Sequence, residues 1–215
     1  MASDMVKDLL LQAALILLVV FSFLFMYNVP QKYFSKLRFR NRSNLQAKRH
    51  FVLGAQLLGQ ARSAPDRAAA ASLAKSAAEE ADKSISLDPR DAAAHILKAL
   101  ALDLQGFKTS ALDALDVALS PLAAKSLSGE EKGDALFKRA ELRVAVSRRG
   151  RVDSAAADLV ESVRLKGDNA KAFCLLGECY ERMEKKDEAR KAYQGALGVE
   201  PGCKVAMEAL DRLGS

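Results

Sequence analysis

Three cysteines, Cys174, Cys179 and Cys203, and two histidines, His50 and His95, carry the side chains most able to do chemistry in this sequence. Thiolates and imidazoles hold zinc, or pair as nucleophile and base, when their spacing lets them converge. Cys174 and Cys179 stand five positions apart in "FCLLGECYERMEKKDEARKAY", residues 173–193, a stretch of helix formers. Five residues rotate a helix by about 140°, so these two thiols face different directions and cannot share a metal. They read as small packing residues. An odd number of cysteines without framework spacing fits a reducing compartment. No Ser, His and Asp grouping is indicated, and "GAQLLG", residues 54–59, lacks the Lys-Ser/Thr of a phosphate loop and lies in a helical pattern. The expectation is an all-α chain with no catalytic residue, no metal site, no cofactor and no enzymatic activity.

The elements that must position these residues are helices. Ala, Leu, Lys and Glu dominate, only 6% of residues are aromatic, and neither a long alternating Val, Ile, Thr run nor an Asn-Gly or Asp-Gly turn is present. With 50% apolar residues, a chain of 215 can bury the core of one domain and carry an appendage. The net charge of +6 is local. Residues 31–50 hold seven basic side chains, Lys32 to Arg49, and no acid, while the chain beyond residue 50 is balanced. A neutral domain argues against nucleic acid as its partner.

Just before the basic cluster runs "LLLQAALILLVVFSFLFMY", residues 9–27, nineteen residues without a charge. As a helix it would reach roughly 28 Å, close to the ~30 Å of hydrocarbon in a bilayer. Met26, Tyr27, Asn28, Val29 and Pro30 offer no small-x-small cleavage site, so the stretch reads as a retained transmembrane helix and not a signal peptide. Basic flanks resist translocation, which places residues 28–42, a basic juxtamembrane linker, and everything after them in the cytosol. Residues 32–49 would add attraction to anionic lipid. The strongly apolar span favours an endoplasmic reticulum signal anchor over a mitochondrial or plastid outer-membrane one.

Beyond residue 43 the sequence repeats. Ala155 and Ala189, Leu159 and Tyr193, and Ser162 and Ala196 are each 34 apart, as are Ala77 and Ala111, Ala81 and Leu115, and Ser84 and Ala118. Phe173, Leu176, Gly177, Tyr180, Ala189, Tyr193, Ala196 and Pro201 follow the aromatic, Leu-Gly, Tyr, Ala, aromatic, Pro order of the tetratricopeptide repeat family, which residues 43–215 resemble. The resemblance implies an α-solenoid of antiparallel helix pairs, with approximate repeats at 43–91, 92–125, 130–169 and 170–203 and a capping helix at 204–214. Gly or Ala sits where helices cross closely, and Pro201 ends the last second helix. The upstream repeats depart from the pattern: residues are inserted around "SPLAAKSLSGEEKGD", where Ser128 and Glu131 form a capping box, and the second helix of the first repeat is long.

His50 and His95 fall where the family carries a large aromatic, which gives them a packing role. The family's binding surface is the concave face lined by first helices. There Ile96, Leu97, Leu100 and Leu104 form an apolar candidate groove, and Lys138, Arg139 and Arg143 are candidates for holding an acidic segment. Some members clamp chaperone C-termini with Lys and Asn. No asparagine lies between Asn44 and Asn169, so that clamp cannot be assembled in its usual form. The expected function is a membrane-anchored adaptor that binds a protein partner, with a structural or assembly subunit of a membrane complex as the alternative.

Overall fold

The computed structural model describes residues 12–20, 44–146 and 152–214, and among them every regular element is helical. Internal contacts divide the chain into residues 1–46 and 47–215. In the first unit, 12–20 is helical with its side chains exposed. Among the described residues no helix is long and apolar enough to cross a membrane. The span expected at 9–27 is described only over 12–20, and the linker expected at 28–42 lies outside the described residues. The anchor therefore draws no support from the structure.

The rest is a run of helices: α1 (44–62), α2 (Arg67–Leu87), α3 (Ala92–Leu104), α4 (Lys108–Ala118), α5 (Gly129–Val146), α6 (Val152–Leu165), α7 (Ala170–Arg182), α8 (Lys186–Val199) and α9 (Lys204–Gly214). Their starts are written locally. Asp66 accepts from the Ala69 N–H at 2.7 Å, Asp91 from Ala93 at 3.0 Å and Asn169 from Ala172 at 3.2 Å, satisfying donors that a first turn leaves unpaired. At α5 the capping box forms in both directions, Glu131 N–H to Ser128 Oγ at 3.2 Å and Ser128 N–H to the Glu131 carboxylate at 2.8 Å.

Two chain reversals use a left-handed residue. Gly106 (φ 91°) follows α3 and Glu184 (φ 61°) follows α7. Each lets a later N–H reach back into the helix, Phe107 to the Leu102 carbonyl and Lys185 to the Tyr180 carbonyl, both at 2.9 Å. Only glycine adopts this conformation without steric cost. A non-glycine residue there loses about 1–2 kcal/mol, and glycine costs roughly 0.4–1 kcal/mol in unfolded-chain entropy. Glu184→Gly is therefore expected to stabilise the domain by about 0.5–1 kcal/mol, read as a higher urea midpoint with an unchanged slope.

Alternate helices stack because one pair cannot bury its own apolar face. The repeating positions show it: Ala77, Ala111, Ala155 and Ala189 are all fully buried, as are Ala81, Leu115, Leu159 and Tyr193 one turn later. At the next turn Ser84 and Ser162 alternate with Ala118 and Ala196. Both serines donate across to the partner helix, Ser84 to the Ala47 carbonyl at 2.9 Å and Ser162 to the Gly133 carbonyl at 2.7 Å, so neither hydroxyl is buried unpaired. The insertion after α4 is also packed. It makes a 3₁₀ turn, Ala124–Ser126, whose Ser126 Oγ accepts from the Ala92 N–H at 3.1 Å and so caps α3 from 34 residues away.

Candidate interaction groove

Residues of α1, α3 and α5 meet on one face of the stack. Between them lies a groove of about 410 Å³. Its floor is apolar, from Phe51 and Leu58 on α1, Ile96 and Leu100 on α3, and Leu127 ahead of α5. Of its charged residues, Glu131 and Asp134 stand in the first turns of α5, Lys138 midway along it, and Arg62 at the C-terminal end of α1. Asp134 is paired with Lys166 at 2.8 Å, whereas Arg62 meets no carboxylate among the described residues.

Ile96, Leu97 and Leu100 line the groove, whereas Leu104 does not. Leu97 is 4% exposed and packs with Ala77, Ala81 and Leu58, its methyl 2.9 Å from where a Cβ on Gly54 would stand. Leu104 is exposed at the end of α3, outside the groove lining. The α1 contribution was missed, although Phe51, Ala55 and Leu58 follow one helical face in the sequence.

The three candidate cations, Lys138, Arg139 and Arg143, are already paired within the domain. Arg139 and Arg143, one helical turn apart, point away from the groove to Asp158 of α6, which is 6% exposed. Arg139 holds both carboxylate oxygens, at 2.8 and 2.6 Å, and Arg143 adds a bond at 2.7 Å. Asp116 of α4 bridges the same guanidinium groups at 3.0 and 3.3 Å. Burial works against the Arg139 charge, but Asp158 and Asp116 outweigh it and hold its pKa above the usual value. Lys138 bonds to Asp103 at 2.8 Å and Glu141 at 3.1 Å. Burial opposes its charge too, and these carboxylates again leave the pKa raised. Lys138 also lines a second cavity of about 410 Å³ between α5 and α7, where Glu141, Glu178, Lys108 and Lys171 mix both signs.

The histidines and cysteines are placed as follows. His50 Nδ1 bonds the Glu80 carboxylate at 2.6 Å and His95 Nε2 donates to the Pro89 carbonyl at 3.0 Å, so each histidine has a polar tie beyond the packing role expected of it. Cys179 joins the cluster of α5, α6 and α7, whereas Cys174 faces α8 and α9. Burial raises both thiols, to about 11 for Cys179 and about 12 for Cys174. Among the described residues no group of three or more His, Cys, Asp or Glu could hold a metal ion. The signature residues Phe173, Leu176, Gly177, Tyr180, Ala189, Tyr193 and Ala196 pack in or against the same two clusters or at their helix crossing, and Pro201 lies exposed in the turn before α9.

No protein-family model and no curated protein matches the sequence. Solved structures match its fold. MamA of Desulfovibrio magneticus RS-1 is 16% identical, over 79% of this chain and 84% of that chain, with a TM-score of 0.62. PilF of Pseudomonas aeruginosa is 16% identical, over 81% and 68%, with a TM-score of 0.60. The first TPR domain of Spaghetti, bound to an HSP90 peptide, is 21% identical, over 59% and 93%, with a TM-score of 0.50. At these identities the likeness is one of fold: residues 47–215 form a tetratricopeptide-repeat-like stack of helices.

Proposed function

We propose that this chain is a protein–protein interaction scaffold whose docking site is the groove between α1, α3 and α5, held at the cytosolic face of a membrane by residues 9–27. The observation that carries the reading is an apolar trough with carboxylates toward one end and, at the other, a guanidinium, Arg62, that meets no carboxylate among the described residues. The occupant it fits is a segment of another protein with an apolar stripe, a basic residue facing Glu131 and Asp134 and an acidic one facing Arg62. Such a site selects orientation through its ends and gains affinity from its floor. The uncharged stretch at 9–27 and the cations that follow support the tether. Confining a scaffold near its target raises effective concentration without adding contacts.

A photo-reactive residue in place of Leu100 is expected to cross-link, in membranes, to a segment of that pattern, and one in place of Val160, on α6, is not. Ile96→Glu should cut the Leu100 cross-link at least about tenfold, since a carboxylate on the groove floor must be desolvated without a partner. Equal cross-linking from both positions, or indifference to Ile96→Glu, overturns the docking site. Release of the intact chain by alkaline washing overturns the tether instead, and the two results are independent. If the chain is an obligate subunit, its fragment from residue 43 should aggregate on gel filtration. A monodisperse monomer favours the adaptor.

A further inference from the structure

The sulfurs of Cys174 and Cys203 lie 3.5 Å apart, brought together from 29 residues of separation. Cys174 sits in the middle of α7, 7% exposed, while Cys203 stands half-buried at the first turn of α9, its carbonyl accepting from Met207 N–H at 3.1 Å. Both belong to the cluster that seats α9 on the rest of the stack through Ala206, Ala209 and Leu210. Among the described residues α9 packs chiefly against α8, so its seat rests on this one face. Among its polar ties are the Arg212–Glu181 pair at 2.8 Å, with Arg212 62% exposed, and the Arg190 bond to the Leu213 carbonyl at 3.0 Å. Exposed pairs of this kind contribute little.

We propose that Cys174 and Cys203 are a two-thiol modification site, oxidised by peroxide to a disulfide that fixes the capping helix α9 to α7. Cys203 reacts first, because it is the accessible sulfur and Cys174 is shielded by burial, which also keeps its proton on. Hydrogen peroxide oxidises Cys203 to the sulfenic acid and is itself reduced, with one water released. The Cys174 sulfur then attacks the Cys203 sulfur. The S–S bond forms, the S–O bond breaks, and the oxygen leaves as a second water carrying the Cys174 proton. A small-molecule thiol reverses the step by exchange. The sulfurs must close from 3.5 Å to about 2.05 Å, a movement within reach of side-chain rotation and a slight settling of the α9 turn. Cys179, which belongs to the other cluster, takes no part.

The test uses the full chain in detergent, treated with hydrogen peroxide, then denatured with N-ethylmaleimide and weighed intact. The expected product has lost two hydrogens and carries one maleimide adduct instead of three. Fragmentation of the linked peptides places the bridge at Cys174 and Cys203, and the adduct at Cys179. Cys179→Ser should leave the bridge in place, and Cys203→Ser should abolish it. Serine suits a helix start, so the second variant keeps the fold. The oxidised chain should melt higher by on the order of 5 °C, a shift reversed by dithiothreitol and absent from Cys203→Ser. Three adducts after peroxide, a bridge through Cys179, a bridge between two chains, or sulfinic acid on Cys203 without a bridge each overturn the site. A bridge that leaves the melting temperature unmoved overturns its action on the cap.

Discussion

Asp158→Ala is expected to lower the stability of the helical domain by about 3 kcal/mol, seen as a fall of roughly 6–12 °C in the melting temperature followed by circular dichroism. Asp158 is 6% exposed and receives both Arg139 and Arg143, whose side chains are each 17% exposed. Removing the carboxylate leaves two largely desolvated guanidinium groups with only Asp116 between them. Breaking a buried pair from one side costs about 3–5 kcal/mol, and the partial access of both arginines to water sets the lower end. Asp116 supplies the control. It touches the same two arginines but is 49% exposed, so Asp116→Ala should cost under about 1 kcal/mol. Equal losses from the two variants would mean that burial does not govern this cluster.

The second large effect is at Tyr193, the bulkiest fully buried side chain. Tyr193→Ala should cost about 3–5 kcal/mol, from the lost ring and the cavity left between α7 and α8. The ring lies directly over Gly177, where an added Cβ would stand 2.6 Å from it. Gly177→Ala consequently pits a helix-propensity gain of about 1 kcal/mol against overpacking of about 1–3 kcal/mol, and a net loss is expected. With Tyr193→Leu already in place the clash is relieved, and the same Gly177→Ala change should become neutral or stabilising. That reversal of sign is the result to look for in urea denaturation; a cost that persists in both backgrounds rules out the ring as its cause. Burial and then the Glu181 carboxylate, 2.6 Å from the phenol, raise the Tyr193 pKa. The folded state therefore holds a proton that the unfolded chain gives up near pH 10. This stabilisation is intact below pH 10 and is lost as pH rises beyond it, so Tyr193→Phe should flatten the alkaline limb of the stability profile.

The helical class and the positions of closest helix contact were legible because they depend on local periodicity. A spacing of 34 paired Ala77 with Ala111 and Ala155 with Ala189 on equivalent faces, and all four are fully buried. Caps such as Ser128 with Glu131 are likewise short-range, since donor and acceptor lie within one turn. The groove was legible only in part. Ile96, Leu97 and Leu100 line it, while Leu104, the last residue of the same helix, does not. Gly195, which receives the Phe173 ring with a would-be Cβ contact of 2.8 Å, carried no sign in the sequence that it was the small residue beneath that ring.

By itself, then, the sequence determined the helical class and the recurrence of small residues at equivalent helix positions, because turn length, capping and apolar period are properties of neighbouring residues. Only the tertiary structure decided which polar groups remain free to act. Arg139 and Arg143 are neutralised by Asp116 and Asp158, 15 to 27 residues away on other helices, whereas Arg62 meets no carboxylate among the described residues. Cys174 finds Cys203 across the turn into α9. The rotation of each helix about its axis, set by how all its neighbours pack, makes those pairings, and no local pattern encodes it.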